Sequence, residues 1–505
     1  MNKVVLAIFT VVIVAGCSSA QAQKLNIKSD TSWCNKTVML EEAGKLNEAL
    51  AVCEQATKLE PKNADAWYNT GVLLGKMGEY QKALDAYNKT LEINPKAKWA
   101  WLNKGEILGQ LGKGEEGLIC YDEAIKIDPD FAFAWYNESV GLYQLGKAKE
   151  SLEAVDKALK IDPTQAGFWY NKGRILLDLN RLDEALAASE QATKLDPSDT
   201  MVWNVKVMIF LQLKKWQNAL ACNEEIIKID PKNTNAWYNK GVVFGEMGEY
   251  QQALDAYDKT LEIDPKNKWS WLNKGKILAE SGKREEGLIC YDEAIKIDPE
   301  FALAWYNESR ILAELGKAQE SLEAVDKALK IDPTHALSWY NKGVILLGLK
   351  RLDEALAASE QAAKLDPSNT MAWKCQAVIY MKQKKWQNAI DAFDKILKLN
   401  ADDDEILSHK GGCLYALRKY QEALEVLDKS LGVNPKNADA WYNRSCTYSL
   451  LKEKEKALSD LNQAIKLDND SKERSKKDKD FQWLWDDEEF KKLPGSGDSI
   501  PNPNK

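Results

Sequence analysis

The chain has 505 residues, of which 45% are hydrophobic and 29% charged, so it can bury a large apolar core. Its 77 acidic residues outnumber its 69 basic ones, and the net charge of -8 argues against nucleic acid as a partner, because phosphate backbones need a clustered basic surface. Acidic residues interrupt the one dense basic run, 472–479, which is interpreted as a solvated linker.

The amino terminus has the pattern of an export signal. Lys3 supplies positive charge, and residues 4–14 form an apolar run that is too short to span a membrane. Residues 14–17 read VAGC, which resembles the lipobox of secreted lipoproteins. The resemblance implies a signal peptide over 1–16, lipidation of Cys17 and a lipid-anchored flexible linker over 17–29. An ordinary signal peptide with an incidental cysteine is the alternative.

Tryptophan then recurs every 34 residues, and proline recurs with the same period. A fixed period of this length indicates a repeat array rather than a globular core. Leu407 occupies the tryptophan slot in one repeat. The tryptophans are Trp33, Trp67, Trp101, Trp135, Trp169, Trp203, Trp237, Trp271, Trp305, Trp339, Trp373 and Trp441.

One unit, residues 64–97, shows why each repeat predicts a helical hairpin. The first helix begins near Asp65, which is expected to cap it or to favour its dipole end. Gly71 lets two helices approach closely, and Gly78 makes the turn between them. Pro95 ends the second helix. That helix carries one buried stripe, made of Ala83, Tyr87 and Leu91.

This spacing of Trp, Gly, Ala and Pro resembles the tetratricopeptide-repeat (TPR) family. The resemblance implies an all-α, right-handed superhelical solenoid of about thirteen TPR helical hairpins over 30–471, with the first helix of each lining a groove. Some repeats depart from the glycine and carry serine, valine or alanine there. The repeats are predicted to start at 30, 64, 98, 132, 166, 200, 234, 268, 302, 336, 370, 404 and 438.

The chain beyond the array is expected to close it. Residues 472–493 are interpreted as a charged linker and a capping helix, the latter over 481–493 and docked through Phe481, Leu484 and Trp485. A partner-binding helix is the alternative for this segment. Residues 494–505 are predicted to be a disordered tail.

A five-repeat block is duplicated inside the array, since residues 64–233 match 234–403. We number each repeat so that its tryptophan is position 4. Positions 2, 9, 12 and 13, which TPR superhelices display towards the groove, differ in 15 of 20 comparisons between the copies. The second helices of the three middle pairs differ at 3 of 45 places. We infer that the two halves line the groove with different chemistry; the alternatives are that inner positions merely tolerate change and that a shared partner binds the outer face.

The groove positions favour an extended peptide ligand. Asparagine at position 6 offers both a donor and an acceptor, and aromatic neighbours add contact area. The row resembles the asparagine ladder in the TPR arm of O-linked N-acetylglucosamine transferases. Asparagine that caps or packs between neighbouring helices is the equal alternative. The candidate ligand-binding residues are Trp99, Asn103, Phe133, Asn137, Tyr170, Asn171, Asn239, Trp269, Asn273, Asn307 and Asn341.

No catalytic, metal or cofactor site is expected. His335 and His409 have no partners at metal-ligand spacing, and a GxGxxG match at 112–117 follows a helix rather than a strand. The cysteines after Cys17 form no CxxC pair and are interpreted as small buried residues. The sequence therefore predicts a protein that is not an enzyme.

These patterns together predict an exported protein, lipid-anchored on the extracytoplasmic side of the cell envelope. Its predicted function is a protein–protein interaction scaffold that binds extended peptide or protein segments in the TPR groove. One alternative is a structural lipoprotein that assembles an envelope or surface complex through its outer face. A less favoured alternative is a substrate arm for a partner transferase.

Overall fold

The computed structural model describes residues 32–493, and every regular element in that range is a helix. The predicted signal peptide, the linker with Cys17 and the tail over 494–505 lie outside the described residues. The chain divides into two compact units between residues 263 and 264.

The described part of the first unit contains seven helical hairpins. In each, an odd-numbered first helix precedes an even-numbered second helix. Their bounds are α1 (Ser32–Glu42), α2 (Leu46–Leu59), α3 (Ala64–Lys76), α4 (Tyr80–Ile93), α5 (Lys98–Gln110), α6 (Gly114–Ile127), α7 (Ala132–Gln144), α8 (Ala148–Ile161), α9 (Ala166–Asp178), α10 (Leu182–Leu195), α11 (Thr200–Gln212), α12 (Trp216–Ile229), α13 (Thr234–Glu246) and α14 (Tyr250–Ile263).

The second unit contains six further hairpins. They are α15 (Lys268–Glu280), α16 (Arg284–Ile297), α17 (Ala302–Glu314), α18 (Ala318–Ile331), α19 (Ala336–Gly348), α20 (Leu352–Leu365), α21 (Thr370–Lys382), α22 (Trp386–Leu399), α23 (Asp404–Ala416), α24 (Tyr420–Val433), α25 (Ala438–Leu450) and α26 (Lys454–Leu467). The thirteen hairpins of the described chain confirm the predicted fold class, an all-α array of TPR-type hairpins.

The segment after the last hairpin differs from the predicted capping helix. Instead of one helix over 481–493, it forms α27 (Asp470–Ser475), a 3-10 helix (Lys479–Leu484) and α28 (Glu488–Lys491). Its apolar side chains still cover the last hairpin: Phe481 and Leu484 are buried, and Trp485 packs against the same cluster. Short helices suit this segment because its apolar residues lack the regular spacing of one amphipathic stripe.

In several repeats a side chain caps the N-terminus of the first helix. At α3 the Asn63 side chain accepts hydrogen bonds from the backbone N–H groups of Asp65 and Ala66. Of the two roles predicted for Asp65, the structure gives the cap to Asn63 and places Asp65 in the first turn, where its charge suits the helix dipole.

The two glycines of the hairpin do what the sequence predicts. A Cβ on Gly71 would lie 2.6 Å from Cε1 of Tyr87, so only glycine allows this approach of α3 to α4. Gly78 has φ of +80°, a left-handed conformation that costs other residues roughly 1–2 kcal/mol. The buried stripe on α4 is formed by Ala83, Tyr87 and Leu91.

The structure also explains why tryptophan and proline recur together. In eleven hairpins the indole Nε1–H of the tryptophan donates to the carbonyl oxygen of the proline six residues earlier. The proline ends one hairpin and the tryptophan begins the next, so the bond fixes the junction between them. In the twelfth hairpin, which lacks the bond, Leu407 and Ala401 occupy these two places.

Candidate functional site

We define the first-helix face as positions 2, 5, 6, 9, 12 and 13 of each first helix. The predicted asparagines at position 6 lie largely inside the protein. Asn103, Asn137, Asn171 and Asn239 are at most 5% exposed, whereas Asn273, Asn307 and Asn341 are half-buried.

The asparagine amides bond to neighbouring helices in several hairpins. Asn103 Nδ2 donates to the Tyr68 hydroxyl at 3.1 Å, and Asn171 Nδ2 donates to Ser139 Oγ at 2.9 Å. In both cases the partner lies on the preceding first helix. This geometry fits the alternative that the asparagines pack between helices, and their role in holding a ligand stays a prediction.

The predicted aromatic residues of the first unit pack on one another. The ring centroids of Trp99 and Phe133 are 6.1 Å apart, and those of Phe133 and Phe168 are 5.6 Å apart. Phe168 in turn stacks on Tyr136 at 4.7 Å. These rings form a continuous row along α5, α7 and α9, so much of their area is already buried against other rings.

A charged cluster extends the same face of the first unit. The Arg174 guanidinium lies 4.3 Å from the Tyr143 ring centroid, and the Tyr143 hydroxyl donates to the carboxylate of Asp178. Burial raises the pKa of Tyr143 to about 12, and the hydrogen bond to Asp178 adds to this shift. The hydroxyl of Tyr143 therefore stays protonated at neutral pH. Tyr170, another predicted ligand residue, is half-buried beside Arg174; burial lowers the pKa of Arg174, but Tyr170 and Tyr143 together outweigh it and raise that pKa.

The second unit lacks this cluster and leaves apolar side chains open. Its residues at the corresponding places are Ala313, Val344 and Gly348. Val344 is 41% exposed and Leu337, on the same helix, is 46% exposed. We call these two residues and Met371, which is 52% exposed on α21, the apolar patch.

The apolar patch spans two adjacent first helices. Leu337 and Val344 are seven residues apart on α19, so they share a face and are separated by about 10 Å along the helix. Met371 occupies position 2 of the next first helix, the place that Leu337 occupies on α19, and Tyr340 on α19 is half-buried. The sequence comparison located changes at the groove positions of the two copies but missed the patch, because exposure depends on how the helices pack.

A separate pattern of charges joins the hairpins through position 7. A cation there pairs with an acidic residue on the preceding second helix at five junctions, as in Lys172–Asp156 at 2.7 Å and Lys342–Asp326 at 2.7 Å. Two junctions reverse this pattern, because position 7 is a glutamate facing an aspartate. They are Glu138 with Asp122 and Glu308 with Asp292.

These glutamates titrate unusually. Burial, reinforced by the carboxylate of Asp292, raises the pKa of Glu308 to about 7; Lys327 opposes the shift, and Glu320 adds to it. Burial raises the pKa of Glu138 as well, with Lys157 opposing and Asp122 reinforcing the shift. The surroundings of both carboxylates therefore disfavour the ionised form.

Stability should depend on pH through Glu308. The pKa of Glu308 is raised in the folded state, so the protonated carboxyl contributes stability that is fully present below about pH 4.5. This contribution is lost as the pH rises through about 7. We expect Glu308→Gln to be neutral near pH 4.5 and to stabilise the α16–α17 junction at pH 8 by about 1 kcal/mol, after allowing for solvent screening. Hydrogen exchange of residues 302–331, corrected for intrinsic rates, measures this.

The exposed Glu320 provides the control for this prediction. Glu320→Gln removes a carboxylate from the neighbouring α18 without touching the buried one. An equal gain of protection at pH 4.5 and pH 8 for Glu308→Gln would contradict the assignment.

Among residues 32–493, one group of three side chains places its ligand atoms within 4.8 Å of one another: Cys446, Asp478 and Asp480. The Asp478 carboxylate accepts a hydrogen bond from Tyr442 and caps the 3-10 helix. Burial raises the pKa of the Cys446 thiol, which opposes the thiolate that a metal would need. The group closes the C-terminal segment onto α25.

The two histidines lie against aromatic rings. His335 is 5.1 Å from the Tyr306 ring, and its Nδ1 lies 2.7 Å from Ser338 Oγ. Burial lowers the pKa of His335, so the ring is neutral at pH 7. His409 is 5.9 Å from the Phe393 ring, and both histidines are explained by packing.

Family models described as "Tetratricopeptide repeat" or "TPR repeat" match most of the chain between 40 and 471. The chain belongs to the tetratricopeptide-repeat family. The architecture is that of a protein–protein interaction scaffold. One further match, over 216–247, is to the protein prenyltransferase alpha subunit repeat and covers about one hairpin. The TPR matches are 40–78, 64–97, 100–131, 142–209, 234–267, 272–336, 325–369, 340–404, 380–443 and 438–471.

Several solved TPR structures are similar to this chain. YrrB, described as a TPR protein with an unusual peptide-binding site, is 23% identical over 37% of this chain and 97% of its own, with a TM-score of 0.33. A TPR protein from Parabacteroides merdae is 16% identical over 49% of this chain and 98% of its own, with a TM-score of 0.42.

The Cut9–Hcn1 hetero-tetramer of the APC/C gives a longer alignment. It is 16% identical over 86% of this TPR chain and 93% of its own, with a TM-score of 0.37. No curated protein gives a significant match. Within residues 32–493, no helix has the length and apolar character needed to cross a bilayer.

Proposed function

We propose that this TPR protein is a lipid-anchored scaffold on the extracytoplasmic side of the envelope, and that it binds an extended protein segment on the first-helix face of its second unit. The apolar patch carries this proposal. Leu337, Val344 and Met371 are exposed on adjacent first helices, in a family of interaction scaffolds. Exposed apolar side chains that adjoin one another favour a protein partner over water.

The duplicated block strengthens the argument, because it compares two faces built on one framework. The first unit fills this face with the Tyr143–Arg174–Asp178 cluster, whereas the second unit leaves it apolar. A ligand segment with apolar side chains would bury the patch, and each well-covered side chain would contribute about 1 kcal/mol or more, since each is already about half covered. The first unit would discriminate against the same segment by its charged cluster.

Site-specific photo-cross-linking in intact cells tests the proposal. A photoreactive residue placed at Leu337 should cross-link to a protein partner, whereas one placed at Glu323, on the exposed face of α18, should not. The same label at Gly167, the matching position of the first unit, serves as a second control. Cross-links at Glu323 alone would contradict binding on the first-helix face.

The lipid anchor is tested separately by Cys17→Ala. Removal of the thiol removes the attachment point of the lipid, so we expect this form to leave the membrane fraction and to remain folded. Fractionation of cells that express the full-length chain or the variant measures the change. Unchanged membrane retention of Cys17→Ala would overturn the lipoprotein assignment and leave the cross-linking result intact.

A further inference from the structure

An exposed isoleucine occurs at the same place in both copies of the duplicated block. Ile119 on α6 is 62% exposed and Ile289 on α16 is 59% exposed. The other repeats carry aspartate, glutamate, alanine or serine at this second-helix position. The other repeats fold with a polar or small residue at this position, so hairpin packing does not require a large apolar side chain that is exposed to water.

Carboxylates surround each isoleucine. Ile119 has acidic residues three and four positions before and after it, which are its neighbours on the helix surface. Both copies have the same arrangement. The carboxylates are Glu115, Glu116, Asp122 and Glu123 around Ile119, and Glu285, Glu286, Asp292 and Glu293 around Ile289.

The reversed junctions add a further carboxylate to each face. Glu138 extends from α7 beside Asp122, and Glu308 extends from α17 beside Asp292. The Oε2 atoms of Glu138 and Glu308 are buried and have no hydrogen-bond partner within residues 32–493. At five other junctions a lysine or arginine of this chain occupies the equivalent place.

We propose that these two faces are a second, duplicated docking surface, which takes a basic amphipathic segment of a partner protein. We call them acidic face 1 (Ile119 with its four flanking carboxylates and Glu138) and acidic face 2 (Ile289 with its four flanking carboxylates and Glu308). An apolar side chain of the segment covers the isoleucine, and a lysine or arginine beside it reaches the glutamate–aspartate pair. This inference is independent of peptide binding on the apolar patch.

Charge complementarity selects this occupant. A basic side chain inserted between Glu138 and Asp122 restores the cation–acid pairing that the other junctions make within the chain. It also satisfies the buried Oε2 with a charge-assisted hydrogen bond, which is stronger than a neutral one. The flanking carboxylates attract the remaining basic residues of the segment and favour its approach.

The neighbouring lysines of this chain do not fill the place. Lys157 lies with its Nζ 4.0 Å from the Trp135 ring centroid, and Lys327 is 4.0 Å from the Trp305 ring centroid. They replace the position-7 lysines that cover the tryptophan in other repeats, such as Lys172 over Trp169 at 5.6 Å. Lys126 pairs with Asp122 at 2.6 Å on the exposed side of α6 and does not reach the buried Oε2.

The test uses a defined probe, a fluorescent helical peptide of lysine, leucine and alanine whose leucines are flanked by lysines at three and four residues. Native mass spectrometry and fluorescence anisotropy on the full chain should show two peptides bound per chain. Ile119→Glu with Glu138→Lys removes the apolar centre and the unpaired carboxylate of acidic face 1 and should leave one bound peptide. The quadruple variant, which adds Ile289→Glu with Glu308→Lys, alters both faces. We expect its affinity for the peptide to be at least about tenfold lower than that of the wild type, since each peptide loses one buried cation contact.

These substitutions are chosen to keep the fold. The lysine at 138 or 308 faces Asp122 or Asp292 as Lys172 faces Asp156, and glutamate at the isoleucine position is what α8 and α18 carry. The control places Glu153→Ala and Glu323→Ala on α8 and α18, which should leave both the stoichiometry and the affinity unchanged.

Unchanged peptide binding by the quadruple variant, or an equal loss in the control, would overturn the proposal. A bound count that does not fall from two to one with acidic face 1 would do the same. Cross-linking at Leu337 is measured on the quadruple variant in parallel, so that a failure of this inference and a failure of the proposed function remain distinguishable.

Discussion

Arg444→Met is expected to destabilise the last hairpin, α25 and α26, by about 3–5 kcal/mol, because it leaves a buried carboxylate without its cation. Arg444 binds Asp460 through two hydrogen bonds, Nε to Oδ2 at 2.6 Å and Nη2 to Oδ1 at 2.9 Å. The Asp460 side chain is 7% exposed. A third contact, Nη1 to Asp428 at 2.6 Å, ties this arginine to the preceding hairpin.

Burial raises the pKa of Asp460 even with Arg444 beside it, which shows how far the carboxylate depends on this partner. The other second helices carry alanine, cysteine or valine at this place, as with Val426 in α24. Arg444 replaces the lysine that pairs with the preceding helix elsewhere, such as Lys410 with Asp394. The last hairpin therefore holds a buried pair that the others lack.

The neighbouring repeat supplies the matched control. Arg444→Lys with Asp460→Val recreates the arrangement of Lys410, Asp394 and Val426, with no charge left in the core. Its cost should be below about 1 kcal/mol, since a buried pair and an apolar replacement are often equivalent. Hydrogen exchange of residues 438–467 measures both, because a repeat array can lose one end without unfolding as a whole. Equal protection in Arg444→Met and the wild type would contradict the expectation.

The period of the sequence was enough to predict the hairpins, because tryptophan, glycine and proline each have a structural role that depends only on nearby residues. Gly71 must admit the Tyr87 ring, and Pro95 both ends α4 and accepts the bond from Trp101. Such constraints act within one or two repeats and therefore repeat along the chain. The sequence left the role of Asp65 open between a cap and a first-turn charge, because Asn63 and Asp65 are both good capping residues and only the backbone decides between them.

The binding face was harder to predict, because the outcome depends on which side chains pack against their neighbours. The asparagines at position 6 are polar in sequence, yet Asn103 bonds to Tyr68 inside the protein. Leu337 and Val344 are apolar in sequence, yet the structure leaves them exposed. Comparison of the two copies of the duplicated block revealed where the chemistry changes, and the packing revealed which change opens a surface.

The second large effect is expected from converting the apolar patch to the chemistry of the first unit. Leu337→Ala with Val344→Arg should weaken binding of an extended apolar peptide roughly 30-fold or more, because two covered side chains contribute about 1 kcal/mol or more each. Arginine at 344 also places a charge where the ligand would have to be desolvated. The measurement is fluorescence anisotropy with a labelled peptide of alternating leucine and serine.

The duplicated block again provides the controls. Arginine is already present at the matching place of the first unit, Arg174, so the variant is expected to keep its fold and its melting profile. The reverse change, Tyr143→Ala with Arg174→Val and Asp178→Gly, opens the same face in the first unit. That variant should bind a second peptide, because it removes the cluster that fills the face.

Together the two changes separate the framework from the ligand preference. If the patch sets the preference, then affinity is lost from the second unit by Val344→Arg and appears in the first unit when the Tyr143–Arg174–Asp178 cluster is removed. A loss in the second unit without any gain in the first would mean that further residues, such as Met371 on α21, set the geometry of the bound segment. Undiminished affinity of Leu337→Ala with Val344→Arg would place the peptide away from the first-helix face and count against the proposed function.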